Sequence, residues 1–129
     1  MQSVCGRVDV DDVPAFLDRL QAIGDRHDCL LQAIDARYVA GPKHLETAVT
    51  HARRAIERDS TVADDPAMEL LLYLAATRQI DEALEVGLHE GDQPIVVVID
   101  GDDTAEAADA VRALIEPGPT TSEAERIRE

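Results

Sequence analysis

Apolar and polar positions change period several times along the chain, and each change marks an element. Val4, Val8 and Val10 alternate with Cys5, Arg7 and Asp9, the pattern of a half-buried strand. Asp11-Asp12-Val-Pro14 is a helix-start signal, after which Phe16, Leu17, Leu20 and Ile23 recur at helical spacing up to Gly24. Residues 29–39 read as a second strand. Gly41-Pro42 opens a helix running to about Arg58, with Leu45, Ala48, Val49, Ala52, Ala55 and Ile56 on one stripe. Asp65-Pro66 opens another, Asp as cap and Pro in the first turn. Its segment Leu70–Ala76 is apolar on every side, so either the domain core surrounds it or a partner covers its second face. Ile80, Ala83, Leu84 and Leu88 predict a short amphipathic helix ending before Gly91. The β-branched run Ile95–Ile99 reads as a central strand. Asp100-Gly-Asp-Asp then turns into a last helix, with Asp103 as cap and Glu106 at its third position.

The order β-α-β-α-α-α-β-α predicts one α/β domain over residues 1–116, a small mixed or antiparallel sheet covered by helices. Pro-Gly-Pro-Thr-Thr-Ser and a charged end make residues 117–129 a flexible, solvated tail. With no Trp and only Phe16, Tyr38 and Tyr73 as large rings, the core must be built from Ala, Val, Leu and Ile. No apolar stretch is long enough to span a membrane. The first residues lack an apolar signal segment, so the expected compartment is the cytoplasm. Cys5 and Cys29 read as buried thiols and not as a disulfide.

The net charge of −15 argues against nucleic acid at first sight. Its make-up changes that. Eleven of the twelve basic residues are Arg, and sixteen Asp outnumber eleven Glu, the bias of a halophile's salty cytoplasm. Within residues 36–60, Arg37, Lys43, Arg53, Arg54 and Arg58 face only Glu46, Glu57 and Asp59, so that segment is +2 and the remainder −17. Projected on a helix, Lys43, His44, His51, Arg54 and Arg58 share a strip roughly 100° wide opposite the apolar stripe. Glu46 and Glu57 are placed to neutralise Arg53, leaving the strip open to an anion. A charge run is commonly only a solvated face; the contrast with the acidic remainder favours more.

No phosphate loop, His-Glu-x-x-His, Cys-x-x-Cys or Ser elbow is present, so neither catalytic residues nor a cofactor is expected. Asp100, Asp102 and Asp103 offer oxygens to a cation, and His44 and His51 offer nitrogens. A turn with a helix cap, and two exposed His without a third ligand, explain them more simply, so no metal is expected.

Asp35 through Leu45, Ala52 through Arg58, and Glu69 through Leu84 (Glu-Leu-Leu-Leu-Tyr-Leu-Ala-Ala-Thr-Arg-Gln-Ile-x-x-Ala-Leu) resemble the small subunit of the KEOPS complex. That subunit is the archaeal counterpart of the TPRKB kinase-binding family, and the likeness spans roughly residues 1–116. Ala75-Ala76-Thr77 stands where that family usually carries a small residue followed by Gly. The resemblance implies a non-catalytic adaptor in the making of threonylcarbamoyladenosine in tRNA. Such a subunit docks on the complex's kinase/ATPase subunit and helps bind the tRNA 3′ CCA end, with no DNA or membrane partner. The missing polar face of residues 70–76 and the stripe beside it make Leu70, Tyr73, Leu74, Ile80, Leu84 and Leu88 the expected docking surface, and the resemblance adds Arg78 and Gln79 to Lys43, His44, His51, Arg54 and Arg58 as tRNA contacts. A reading from another class is a regulatory α/β domain whose Asp turn holds a small molecule.

Overall fold

In the computed structural model, which describes residues 1–61, 63 and 65–117, the chain forms one sheet with helices on both faces. The elements follow in the predicted order. They are β1 (Gln2–Val10), α1 (Val13–His27), β2 (Cys29–Asp35), α2 (Pro42–Glu57), α3 (Pro66–Ala75), α4 (Ile80–Leu84), β3 (Gly91–Gly101) and α5 (Thr104–Arg112). A two-residue strand β4 (Glu116–Pro117) closes the sheet.

The strand order is β2-β3-β1-β4 with every pairing antiparallel. Since β1 and β2 both oppose β3, they run parallel to each other on either side of it, and α1 carries the chain between them. Ile95, Val97 and Ile99 of β3 pack with Val4, Val8, Leu20 and Val111 under α1 and α5. Val96 and Val98 pack with Leu45, Val49, Leu70 and Leu74 under α2 and α3. Burial on both faces explains the unbroken β-branched run, whereas β1 alternates. Arg7 on its second face is half-buried and pairs with Asp92 of β3 at 3.2 Å.

Several boundaries differ from expectation for local reasons. Gly24 does not end α1, which continues to His27 and closes on Asp28 in the left-handed conformation. A Cβ at Gly24 would lie 2.5 Å from the Cys29 carbonyl oxygen, so this glycine serves close helix–strand approach. β2 stops at Asp35 instead of residue 39, because the Asp35 carboxylate accepts the Arg37 N–H and starts a 3-10 turn over Ala36–Tyr38. α4 ends at Leu84, and Leu88 falls beyond the turn that follows it. Pro117, expected in the tail, pairs with Gly6 in the sheet; the expectation for residues 118–129 lies outside the described residues.

The uniformly apolar α3 is surrounded chiefly by the chain itself. Leu70 and Leu74 enter the core beneath α2, while Leu71 and Leu72 join Ala63 and Ala83 on another side. Leu70 and Leu74 are 0% and 2% exposed, so their expected role as partner contacts is corrected: they are core. Of α3's large side chains, Tyr73 reaches the surface.

α3 closes with the Thr77 N–H bonded to the Leu72 carbonyl at 3.1 Å, which requires a left-handed residue between them. That residue is Ala76, at φ +56°. Here a glycine would avoid about 1–2 kcal/mol of Cβ strain, against about 0.4–1 kcal/mol for its greater freedom when unfolded. Ala76→Gly is therefore expected to raise stability by about 0.5–1 kcal/mol in urea titrations, and an unchanged midpoint would remove the strain.

Candidate functional site

α2 owes its position to its apolar stripe, and that stripe turns the predicted cationic strip outward. Lys43, His51, Arg54 and Arg58 are exposed. Among the described residues no salt bridge engages Lys43, Arg54, Arg58 or Arg78. Arg53, on the flank of the strip, does pair with a carboxylate, but not with Glu46 or Glu57 as expected. Its guanidinium grips both carboxylate oxygens of Asp100 at the end of β3, with Nε 3.2 Å from Oδ2. Hydrogen bonding to Asp100, reinforced by that carboxylate's charge, raises the Arg53 pKa above its usual value.

His44 departs from the strip, and here the expectation is corrected. Its Nδ1 accepts the Ala40 N–H at 3.1 Å, which leaves the proton on Nε2, 2.7 Å from the Leu74 carbonyl oxygen. Both ring nitrogens are used in fastening the start of α2 to α3, so neither serves an anion or a metal. His51 remains on the surface with its ring parallel to Tyr73, centroids 5.8 Å apart and planes 19° apart. This pair joins the cationic strip to α3, a contact that no sequence spacing announced.

Arg78 and Gln79 are exposed in the link between α3 and α4. A cleft of about 320 Å³ runs from Ser60, just past α2, along Leu72, Tyr73 and Ala76 to Arg78. The structure thus brings Tyr73 and Arg78 to one depression, with Ser60 connecting it to the end of the strip. Lys43, at the opposite end of α2, does not line it.

Of the apolar residues expected at a docking surface, Tyr73, Ile80 and Leu84 are 37%, 42% and 51% exposed. Leu88 is half-buried against the core under α1 and α5, which removes it from that group. Ile80 and Leu84 lie one turn apart on α4, which packs on α3.

At the far end of the sheet the Asp turn is divided between two partners. Asp100 holds Arg53, while Asp103 lies 3.2 Å from His27 Nδ1. Asp103 makes no capping bond to α5, contrary to expectation. Glu106 Oε2 approaches the same His27 nitrogen at 4.0 Å, so these three side chains could hold a metal. Burial pushes the nearby Cys29 thiol up, as do the charges of Asp103, Asp102 and Asp100, against a hydrogen bond from the Asp103 backbone. With its turn so engaged, a small-molecule reading is left with a cavity of about 490 Å³ between α1, β2 and the start of α3, near Leu17, Leu31, Ile56 and Met68. Among the described residues no helix is long and apolar enough to cross a membrane.

No curated protein matches the chain significantly. The family model for the kinase binding protein CGI-121 matches residues 8–129, which include every strand and helix from the end of β1 onward. The chain therefore belongs to the CGI-121 family of kinase-binding proteins.

Proposed function

We propose that the chain is a non-catalytic, cytoplasmic adaptor subunit of the KEOPS complex for tRNA threonylcarbamoyladenosine modification. It docks on the kinase/ATPase subunit and helps hold the tRNA 3′ CCA end. Family membership carries the kinase half of this reading. Tyr73, Ile80 and Leu84, exposed on two adjoining helices with Leu84 the most exposed large aliphatic side chain among the described residues, support α3–α4 as the docking surface.

The RNA half is supported by Lys43, Arg54, Arg58 and Arg78, which form no salt bridge among the described residues of a chain of net charge −15. A single-stranded end also needs surfaces on which bases can stack. The His51–Tyr73 pair beside the cleft supplies one, and Tyr38, 53% exposed, another.

In the complex with the kinase subunit, Arg54→Glu with Arg58→Glu should weaken binding of tRNA ending in CCA by about tenfold or more. Losing two phosphate contacts should also flatten the dependence of log affinity on log salt by about 1.4. tRNA trimmed of its CCA should bind the unsubstituted complex poorly, and the reversals should then add little. Equal binding of intact and trimmed tRNA would reduce the strip to a solvated helix face.

A further inference from the structure

The cluster at the junction of α1 and α5 lies in the helical layer opposite α2 and α3, and the adaptor role makes no use of it. We propose that His27, Asp103 and Glu106 form a site for one first-row divalent transition metal ion, with zinc as the probe.

His27 comes from the last turn of α1, whereas Asp103 and Glu106 come from the start of α5. Their donor atoms, His27 Nδ1 and one oxygen from each carboxylate, all lie within 4.8 Å of one another. Bonds of about 2.0–2.2 Å to a shared ion place ligand atoms about 3.0–3.6 Å apart. The His27–Asp103 distance of 3.2 Å already meets that spacing, and the 4.0 Å to Glu106 is close to it. The Glu106 side chain is 72% exposed and can swing inward without disturbing the core. The His27 side chain, 14% exposed, is held more firmly and presents Nδ1 to both acids.

An ion pair between His27 and Asp103 alone would account for one contact. A second carboxylate, Glu106 in the first turn of α5, approaches the same nitrogen at 4.0 Å. Asp103, at the cap position of α5, directs no side-chain bond to the helix it precedes and turns its carboxylate toward His27 instead. One imidazole and two carboxylates suit zinc, manganese or cobalt, while an all-oxygen set would favour calcium. Cys29 is not counted among the ligands: its thiol donates to the His27 carbonyl oxygen at 3.3 Å and lies outside the convergent donor set. Water would complete the coordination on the solvent side. Such an ion would tie the end of α1 to the start of α5, two elements otherwise joined by apolar packing.

The test is calorimetric titration of the full chain with Zn²⁺ in concentrated KCl, where diffuse attraction to an acidic surface is screened. One saturable equivalent is expected, with a rise in melting temperature on loading. His27→Asn and Glu106→Gln should each weaken binding about tenfold or more, and circular dichroism checks that they fold. Asp28→Asn and Asp102→Asn, neighbouring acids outside the donor set, should leave binding unchanged. Nitrogen NMR of the loaded chain should show His27 coordinated through Nδ1 with its proton on Nε2. Unsaturable binding, or binding lost equally in the Asp28 and Asp102 variants, would reduce the cluster to an ion pair. Glu106 is exposed, so its variant keeps the test decisive should the His27 variant unfold.

Discussion

A chain carrying Leu84→Glu should fold normally and fail to co-elute with the kinase subunit. Leu84 is 51% exposed, so a charge there remains in water in the free chain and costs it less than about 0.5 kcal/mol. In a dry interface the same carboxylate would be desolvated without a partner, at several kcal/mol. Each 1.4 kcal/mol is a factor of ten, so a micromolar or tighter complex would weaken at least about a hundredfold. Ile80→Glu, one turn earlier on α4, should behave alike. The choice of residue decides whether the experiment is interpretable. Leu88→Glu would place a charge against the core under α1 and α5, and Leu74→Glu would bury one outright, so lost association would merely report unfolding. If both α4 variants fold and still co-elute with the kinase, the docking surface lies elsewhere.

The contrast between Leu84 and Leu74 shows what was readable in the sequence. Element order was legible because each element has its own period: β1 alternates, β3 is continuous and α2 carries one stripe. Those periods follow from which faces are covered, and coverage is what a sheet between two helical layers provides. The uniform apolarity of α3 was equally visible, but not what covers it. Only the fold shows that α2 and the Ala63–Ala83 side do so, leaving Tyr73 outside. Boundaries failed where a side chain decided the backbone: the Asp35 carboxylate ending β2, or close approach holding a glycine within α1.

The cationic strip was legible in outline, because helical projection sorts residues by face. It could not show that a backbone N–H and a carbonyl claim both nitrogens of His44, or that Asp100, forty-seven residues on, claims Arg53. Nor could spacing bring His27 to Asp103 across seventy-six residues. Glu69 and Asp35 were missed similarly: nothing in their neighbourhoods marks a carboxylate as buried. Yet Glu69 accepts the Ala63 N–H at 2.9 Å and fixes the approach to α3.

Asp35 carries the largest expected effect on stability. Its side chain is fully buried where β2 ends, and it receives the Arg37 backbone N–H at 2.9 Å, the Arg37 guanidinium at 2.6 Å and His89 Nε2 at 3.1 Å. Burial by itself drives the carboxyl up. The Arg37 and His89 hydrogen bonds and the Arg37 charge outweigh it, holding the pKa below the ordinary 3.8. Asp35→Asn keeps the shape, removes the charge and puts an amide donor among donors, so it should cost about 1–3 kcal/mol near neutral pH. The sign with pH follows from linkage. A carboxyl whose pKa is lowered by folding contributes stability above its unfolded value and loses it as pH falls through the folded one. The gap between the natural chain and Asp35→Asn in urea titrations should thus be constant from neutrality to about pH 5, and should close only below about pH 4. A gap independent of pH down to acid unfolding would mean that shape, and not ionisation, holds this turn. Arg37 and Tyr38, both exposed on that turn, would then owe their positions to packing and not to the buried charge beneath them.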